Sequence, residues 1–246
     1  MKHFSCLPAN YTRSLYPIAG QALYGYEGAT NKSFRSENIP DGVKNQVEDG
    51  INALFVPAGV EIDLGDFAGT CVSNPTLCRN FTVSFLLKTN GDKDLMILDS
   101  RAKEGQIGGG YGWSFEINKY GDAEAMVTDG NIRGYGETLV ATDAWILMLF
   151  TFDRAQYDSG IILYQNGSHS IGVIGMGFRP WVEQDKDTRL NLGSASNTKG
   201  FFIGNLKFIG MKLNDKQIQE HGNSSFNEGM MWFERLFSFI SVLTRS

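Results

Sequence analysis

The sequence predicts an all-β domain made of two packed antiparallel sheets. Composition points there first, because the 246-residue chain has 29 glycines and 12% aromatic residues, which fits many turns between aromatic-rich segments. Short runs of β-forming residues follow one another along the chain, separated by turn pairs such as Asn90-Gly91. Asn166-Gly167 fits the two positive-φ positions of a type I′ hairpin turn, and it is the strongest local signal.

The predicted strands are of three kinds. Phe81–Lys88 begins with alternating residues, whereas Trp145–Phe152 is a nearly continuous apolar run, as expected for a strand buried on both faces. Ile161–Gln165 and Ser168–Ile174 are the arms of the Asn166-Gly167 hairpin. Further strands are predicted at Gln21–Glu27, Ala53–Val56, Val60–Leu64, Asp94–Ser100, Trp113–Asn118, Ala123–Thr128, Arg189–Leu192 and Phe202–Phe208.

One short helix is predicted near the end of the strand-rich region, at Leu213–His221. Asn214 is its expected N-cap, and Gln217 three residues later completes a capping box. Gly222 ends it.

The two ends of the chain are predicted to be tails, 1–14 and 222–246. Apolar residues in the segment 222–246 recur at helical spacing. Two interpretations stay open for this segment: a helix or frayed tail on the domain, or an interfacial or truncated membrane anchor. Its longest uncharged stretch falls far short of the roughly 20 residues of a spanning helix. Residues 1–14 lack the apolar run of a signal peptide, so we expect either a cytosolic protein or a fragment of a longer secreted or membrane protein.

Charge and motif content exclude several functions. With 22 basic and 27 acidic residues the net charge is -5, and no basic block offers nucleic acid a phosphate-binding surface. The chain has no Gly-x-Ser-x-Gly motif and only three histidines, so nucleophilic catalysis is not predicted. The glycine-rich Gly105–Gly112 lacks the Lys-Ser/Thr of a phosphate loop.

The order of elements resembles a known family. Five segments match in the family's order: Asn52–Phe55 with Val60–Leu64, Phe81–Phe85, Trp145–Asp153 with Gly160–Gly167, Leu190–Gly193 with Phe202–Ile209, and the helix Leu213–Gln219. They are similar to laminin-G-like and pentraxin-like domains, which share the concanavalin A-like jelly-roll sandwich. The resemblance covers about residues 15–221, which we take as the domain. It implies an extracellular or ectodomain module, part of a larger matrix or receptor protein, that binds glycans or proteins without catalysis.

Three alternatives accompany this interpretation. A calcium-dependent pentraxin-like lectin is one, and a purely structural spacer domain is another. The third is a laminarinase-type glycoside hydrolase, because Glu61-Ile-Asp-Leu-Gly-Asp66 resembles the catalytic strand of those enzymes, with Glu61 and Asp63 on one face. Asp66 is offset by one residue and shorter than the expected acid, and the segment comes before the core strands.

Calcium is the one cofactor that the sequence suggests. Hard cations bind several oxygen ligands, and Glu183, Asp185 and Asp187 form the densest acidic loop, to which Asp99 could contribute. Glu183-Gln-Asp resembles the pentraxin calcium tripeptide but precedes the corresponding strand, so that site is not carried over. A solvated acidic loop is the alternative.

Other candidate sites come from single residue types. Cys71 and Cys78 close a six-residue loop containing an Asn-Pro turn, which favours a disulfide in an oxidising compartment; two free thiols are the alternative, and Cys6 stays outside. Aromatic residues in or beside loops could stack on sugars, and these are Tyr111, Trp113, Tyr135 and Trp181. Glycosylation sequons occur at Asn10, Asn31, Asn80, Asn166 and Asn223.

Overall fold

The computed structural model describes residues 12–15, 40–66, 72, 74–75, 79–101, 111–129, 133–139, 143–156, 160–169, 173–176 and 188–221, and the statements below concern these residues. Two antiparallel sheets pack face to face around an apolar core, which confirms the predicted all-β sandwich. Among these residues, no helix has the length and apolar character needed to cross a bilayer.

Fifteen strands are described, numbered here in chain order. They are β1 (Thr12–Leu15), β2 (Lys44–Glu48), β3 (Ile51–Val56), β4 (Glu61–Asp66), β5 (Asn80–Lys88), β6 (Leu95–Asp99), β7 (Tyr111–Ile117), β8 (Asp122–Asp129), β9 (Arg133–Leu139), β10 (Ile146–Asp153), β11 (Ile161–Gln165), β12 (Ser168–His169), β13 (Val173–Met176), β14 (Arg189–Gly193) and β15 (Phe201–Ile209).

The eight-stranded sheet has the order β12-β11-β10-β5-β15-β3-β2, and β1 also pairs with β15. β3 pairs with the first residues of β15 and β1 with the last four, so both share one side of that strand. Part of β1 therefore lies within the segment predicted as an N-terminal tail.

The seven-stranded sheet has the order β13-β9-β8-β7-β6-β14-β4. Its middle strands follow one another as antiparallel hairpin neighbours, whereas β14 joins from far along the chain to lie between β6 and β4. Alternation decides which face each residue occupies. Trp113, Phe115 and Ile117 of β7 point into the core, and the residues between them face away.

Aromatic side chains from both sheets fill the core. Phe85 and Phe115 meet edge to face with ring centroids 4.8 Å apart, and Phe81 stacks on Phe208 at 5.0 Å. Each fully buried side chain of this size contributes roughly 1.5–3 kcal/mol through removal of apolar surface from water. β10 is buried at every position, as its continuous apolar run predicts.

A short helix, α1 (residues 215–221), packs on the outer face of the eight-stranded sheet. The predicted capping box is present: Gln217 N–H donates to Asn214 Oδ1 and Asn214 N–H donates to Gln217 Oε1, both at 3.0 Å. Ile218 then packs against Leu149 and Tyr164 in a small apolar cluster. At the end of the helix, His221 Nε2 lies 2.8 Å from Ser84 Oγ.

Most predicted strands are confirmed, and the differences are of two kinds: one hairpin arm is shorter than predicted, and three strands were not predicted. The second hairpin arm, predicted as Ser168–Ile174, has only two residues in β12, and Val173–Met176 pairs instead with β9 in the other sheet. The sequence did not predict β1, β2 or β9. The predicted strand Gln21–Glu27 lies outside the described residues, as does the segment 222–246.

Candidate functional site

The outer face of the seven-stranded sheet is polar. Its two central rows are defined by cross-strand partners, and together they are called the polar face here. One row contains Asp63, Asn191, Asp99, Ser114 and Met126, and the next contains Met96, Glu116 and Glu124. A bulge in β6 between Met96 and Leu98 brings both Met96 and Asp99 to this face.

Arg101 is the central cation of the polar face. Its Nε lies 2.9 Å from Asp99 Oδ1 and its Nη2 3.2 Å from Asp99 Oδ2, which makes the contact bidentate. Burial acts to lower the pKa of the Arg101 guanidinium, but the hydrogen bonds and charge of Asp99, with the charges of Glu116 and Glu124, outweigh it and raise that pKa. The guanidinium therefore lies within the field of three carboxylates.

Glu116 and Glu124 are direct cross-strand partners on β7 and β8. Like charges in this position destabilise a sheet, and the nearby Arg101 offsets their repulsion. Glu137 of β9 is the next Cα partner along the same row. Carboxylates are the main hydrogen-bond acceptors of this surface, and a ligand rich in hydroxyl or amide donors would complement them.

Ser114 lies between Asp99 and Met126 at the centre of the face and is 1% exposed. Within the part of the chain described above, its Oγ has no hydrogen-bond partner. Leaving a buried hydroxyl unsatisfied costs about 1–3 kcal/mol. Because this Oγ is also shut off from solvent, it is a cost that the fold carries and does not offer a contact to a ligand.

Among the predicted sugar-stacking residues, the expectation that Trp113 is a surface aromatic is wrong. Its side chain is fully buried, packs against Phe150 and Phe208, and donates from Nε1 to the Val72 carbonyl at 2.8 Å. The physical reason is alternation, since position 113 shares the core face of β7 with Phe115 and Ile117.

The structure does not test the other three predicted sugar-stacking residues, which are Tyr111, Tyr135 and Trp181. Tyr111 lies in β7, and Tyr135 of β9 is the Cα partner of Met126, next to the polar face. Trp181 lies outside the described residues. Their roles in ligand binding stay predictions.

The described residues give the predicted calcium site little support. Asp99, one of its proposed ligands, is occupied by the bidentate contact with Arg101. Among the residues described, no group of three or more His, Cys, Asp or Glu side chains is arranged to hold a metal ion. Glu183, Asp185 and Asp187 lie outside them, so a site in that loop stays a prediction.

Glu61 and Asp63, proposed for hydrolysis, lie two residues apart on β4, at the edge of the seven-stranded sheet. Asp63 Oδ2 accepts a hydrogen bond from Arg189 Nε at 2.6 Å, and Asp66 is the cross-strand partner of Arg189. The pair is well exposed to solvent, which weakens its attraction. One predicted catalytic carboxylate is therefore already paired with a cation.

The covalent modification sites are mostly outside the described residues, namely Cys71, Cys78, Asn10, Asn31 and Asn223. Asn166 adopts the predicted turn, with φ of 51° at Asn166 and 81° at Gly167, and its Oδ1 accepts from Leu147 N–H at 2.9 Å. Asn80 Oδ1 accepts from Lys212 N–H at 3.2 Å. Glycosylation at either residue stays a prediction.

Sequence reasoning missed Tyr120, at the tip of the hairpin that joins β7 to β8. Tyr120 is 69% exposed, and with Val47 it is one of two large hydrophobic residues exposed in the described ranges. The signal was present: Asn118-Lys-Tyr-Gly121 stands between two alternating runs, which is typical of a hairpin connection.

Comparison with known proteins identifies the fold and no family. No protein-family profile matches the chain, and no curated protein matches it. Solved structures do: the botulinum neurotoxin serotype D ligand-binding domain in complex with N-acetylneuraminic acid superposes with a TM-score of 0.58 at 17% identity, over 88% of this chain and 51% of that one.

Two further structures are similar. The binding domain of paraclostridial mosquitocidal protein 1 gives a TM-score of 0.57 at 13% identity over 77% of this chain and 47% of that one. The binding domain of botulinum neurotoxin DC, in complex with rat synaptotagmin II, gives 0.52 at 13% over 74% and 45%. The chain spans about half the length of these structures. At such identities the likeness shows the β-sandwich fold, which is compatible with the jelly-roll superfamily and does not confirm the laminin-G or pentraxin resemblance.

Proposed function

We propose that this chain is a non-catalytic recognition module that binds glycan or protein ligands through the polar face of its seven-stranded sheet. The observation that carries the proposal is a partly exposed cluster of charges on that face, in which Asp99 holds the Arg101 guanidinium in a bidentate contact with Glu116 and Glu124 close by.

The chemistry of the face suits binding better than catalysis. Polar groups held rigidly on adjacent strands are positioned before the ligand arrives, so less conformational entropy is lost on association. The carboxylates accept hydrogen bonds from sugar hydroxyls or peptide amides, and the Arg101 guanidinium donates them. The neighbouring structures support this proposal because those proteins are named as binding domains, one with N-acetylneuraminic acid and one with synaptotagmin II bound.

An extracellular location is part of the proposal. The Cys71–Cys78 spacing, the sequons and the family resemblance support it, since disulfides and glycans belong to the secretory route. In this setting the chain is an adhesion or receptor module within a larger matrix or receptor protein, and it contacts a membrane only through that parent or weakly through its C-terminal tail.

The test uses an array of glycans and matrix proteins, probed with the full chain in calcium and again with chelator. We expect retention without turnover of the bound ligand. Glu124→Gln should bind about tenfold more weakly, because a charged acceptor of the ligand's hydrogen bonds is replaced by a neutral amide.

Glu220→Gln is the matched control. Glu220 is an exposed carboxylate of α1, which packs on the other sheet. It should bind as the wild type. Equal loss in both variants, or wild-type binding by Glu124→Gln, would overturn the proposal. Retention abolished by chelator would favour the calcium-dependent lectin, and silence on every array would favour a spacer domain. Cleavage of β-glucan that Glu61→Gln abolishes would favour the hydrolase.

A further inference from the structure

The β7–β8 hairpin ends in a rigid turn, residues 118–121, called the tyrosine tip here. Asn118 organises it: its Oδ1 accepts from Tyr120 N–H at 2.9 Å and from Asp122 N–H at 3.1 Å. Its backbone bonds both ways as well, donating to Asp122 O at 2.8 Å and accepting from Gly121 N–H at 2.9 Å. The exposed ring of Tyr120 is therefore carried on a fixed turn and needs little ordering on binding.

Two cations lie on the tyrosine tip, Lys119 at the Tyr120 ring and Lys93 at Gly121. The Lys119 ammonium lies 5.0 Å from the centroid of the Tyr120 ring, within cation–π range. The stem of Lys93 lies along Gly121, with its Cε 3.3 Å from where a β-carbon of that residue would be. Both lysines are exposed, and within the described ranges neither forms an ion pair. Their charges are available to a ligand.

Acceptors lie on the same tip. Asp94 is exposed, and its N–H donates to Asn118 O at 3.2 Å, which holds the β5–β6 connection against the turn. Asp122 follows directly at the start of β8. The tip thus combines an aromatic face, two cations and two carboxylates within two adjoining loops.

We propose that the tyrosine tip binds an acidic sugar residue, with the apolar face of the sugar ring on Tyr120 and its carboxylate on Lys119 and Lys93. Asp94 and Asp122 accept hydrogen bonds from the sugar hydroxyls. A sugar ring matches one exposed aromatic side chain in size. An anionic membrane surface fits less well, because an extended surface faces the whole chain, whose net charge is -5, whereas a single carboxylate meets only the two lysines of the tip. This site is separate from the polar face and does not depend on it.

The experiment measures retention of the full chain on two surfaces densely coated with β-glucuronide or β-glucoside, which differ only in the carboxylate. Dense coating gives avidity to a weak site. The wild type should be retained more strongly on glucuronide, by about tenfold, and less so as salt rises. Tyr120→Ala should lose this retention, and Tyr120→Phe should keep it because stacking does not use the hydroxyl. The double variant Lys93→Gln/Lys119→Gln should bind both surfaces alike.

Two controls are matched to these changes. Val47→Ala removes the other exposed apolar side chain, and Lys216→Gln removes an exposed lysine of α1; both should bind as the wild type. This test uses no variant of the polar face, so failure of the polar face and failure of this site are distinguishable. The proposal is overturned if Tyr120→Ala binds normally, if the two surfaces retain the wild type equally, or if neither retains it. Binding to phosphatidylserine vesicles alone, lost in Tyr120→Ala, would replace the sugar with a membrane.

Discussion

Asn197 bonds the backbone of Met96 twice, its Nδ2 donating to Met96 O at 2.8 Å and its Oδ1 accepting from Met96 N–H at 2.9 Å. Strand pairing between β14 and β6 covers only two residue pairs, ending at Leu192 and Leu98. The side-chain amide therefore continues that pairing by one more step. It supports Met96, a residue of the polar face, from a loop that the chain reaches only after β14.

Asn197→Ala should lower the free energy of unfolding by about 2 kcal/mol, because two hydrogen bonds are lost and the Met96 peptide groups are left without them. Denaturant unfolding measures this as a lower midpoint at unchanged slope. Ser196→Ala, in the same loop but exposed, is the control and should change little. Similar midpoints for Asn197→Ala and the wild type would contradict the assigned role.

Gly193→Ala should destabilise the protein more than Gly167→Ala does. Both glycines have similar positive φ, 76° and 81°, so each substitution carries about 1 kcal/mol of backbone cost. A β-carbon on Gly193 would lie 2.5 Å from Val60 O, whereas nothing lies within 4 Å of one on Gly167. Thermal unfolding of the two variants isolates the steric part. Equal melting temperatures would show that the Val60 backbone moves aside at little cost.

Asn214→Ala should cost about 1 kcal/mol, since it removes the N-cap of α1 and one half of the capping box. Asn214→Ser should recover most of this, because a serine oxygen also accepts from the Gln217 N–H. Equilibrium unfolding of both variants is the measurement. If serine and alanine behave alike, docking of Ile218 rather than the cap holds the helix.

Tyr164 should ionise late. Burial raises its pKa to about 12, with help from the nearby Asp215 charge and the 3.3 Å contact of Tyr164 OH with Asp215 Oδ1. Above pH 10 the unfolded chain loses this proton while the folded chain keeps it, so the contribution of Tyr164 to stability falls between about pH 10 and 12.

Tyr164→Phe should therefore lose less stability over that range than the wild type, as followed by circular dichroism. Its difference ultraviolet titration against the wild type should show one phenol ionising near 12. Tyr120→Phe, at an exposed phenol, is the control. A difference titration centred near 10 for Tyr164 would contradict the burial argument.

Much of the fold was predictable because local patterns and burial agree. β5 and β10 carry their own apolar runs, and Asn166-Gly167 and Asn214 with Gln217 specify their turn and cap through short-range hydrogen bonding alone. β2 and β9 were missed for the opposite reason. Lys44–Glu48 has a single apolar residue, Val47, and Arg133–Leu139 contains two glycines. Both become strands through pairing with the adjacent strands β3 and β8.

The candidate site was less predictable. Arg101 follows β6, whereas Glu116 lies on β7 and Glu124 on β8, and only the register of these strands brings the three residues together. Period-2 alternation already placed Trp113 on the core side, so that error was avoidable. Tyr120 was marked by its turn sequence, whereas the unsatisfied state of the Ser114 hydroxyl depends on packing and is visible only in three dimensions.

The last two strands occupy inner positions of both sheets, and this has a consequence for how the chain is made. β15 separates β5 from β3, and β14 separates β6 from β4. At the neighbouring contact of Thr82 with Met211, the bonded residues are 129 positions apart. Such pairing closes slowly, on a scale of about milliseconds to seconds. A chain emerging from the ribosome cannot attach β3 or β4 to its sheet until β14 and β15 have been synthesised, so the sandwich forms through strands inserted between earlier ones.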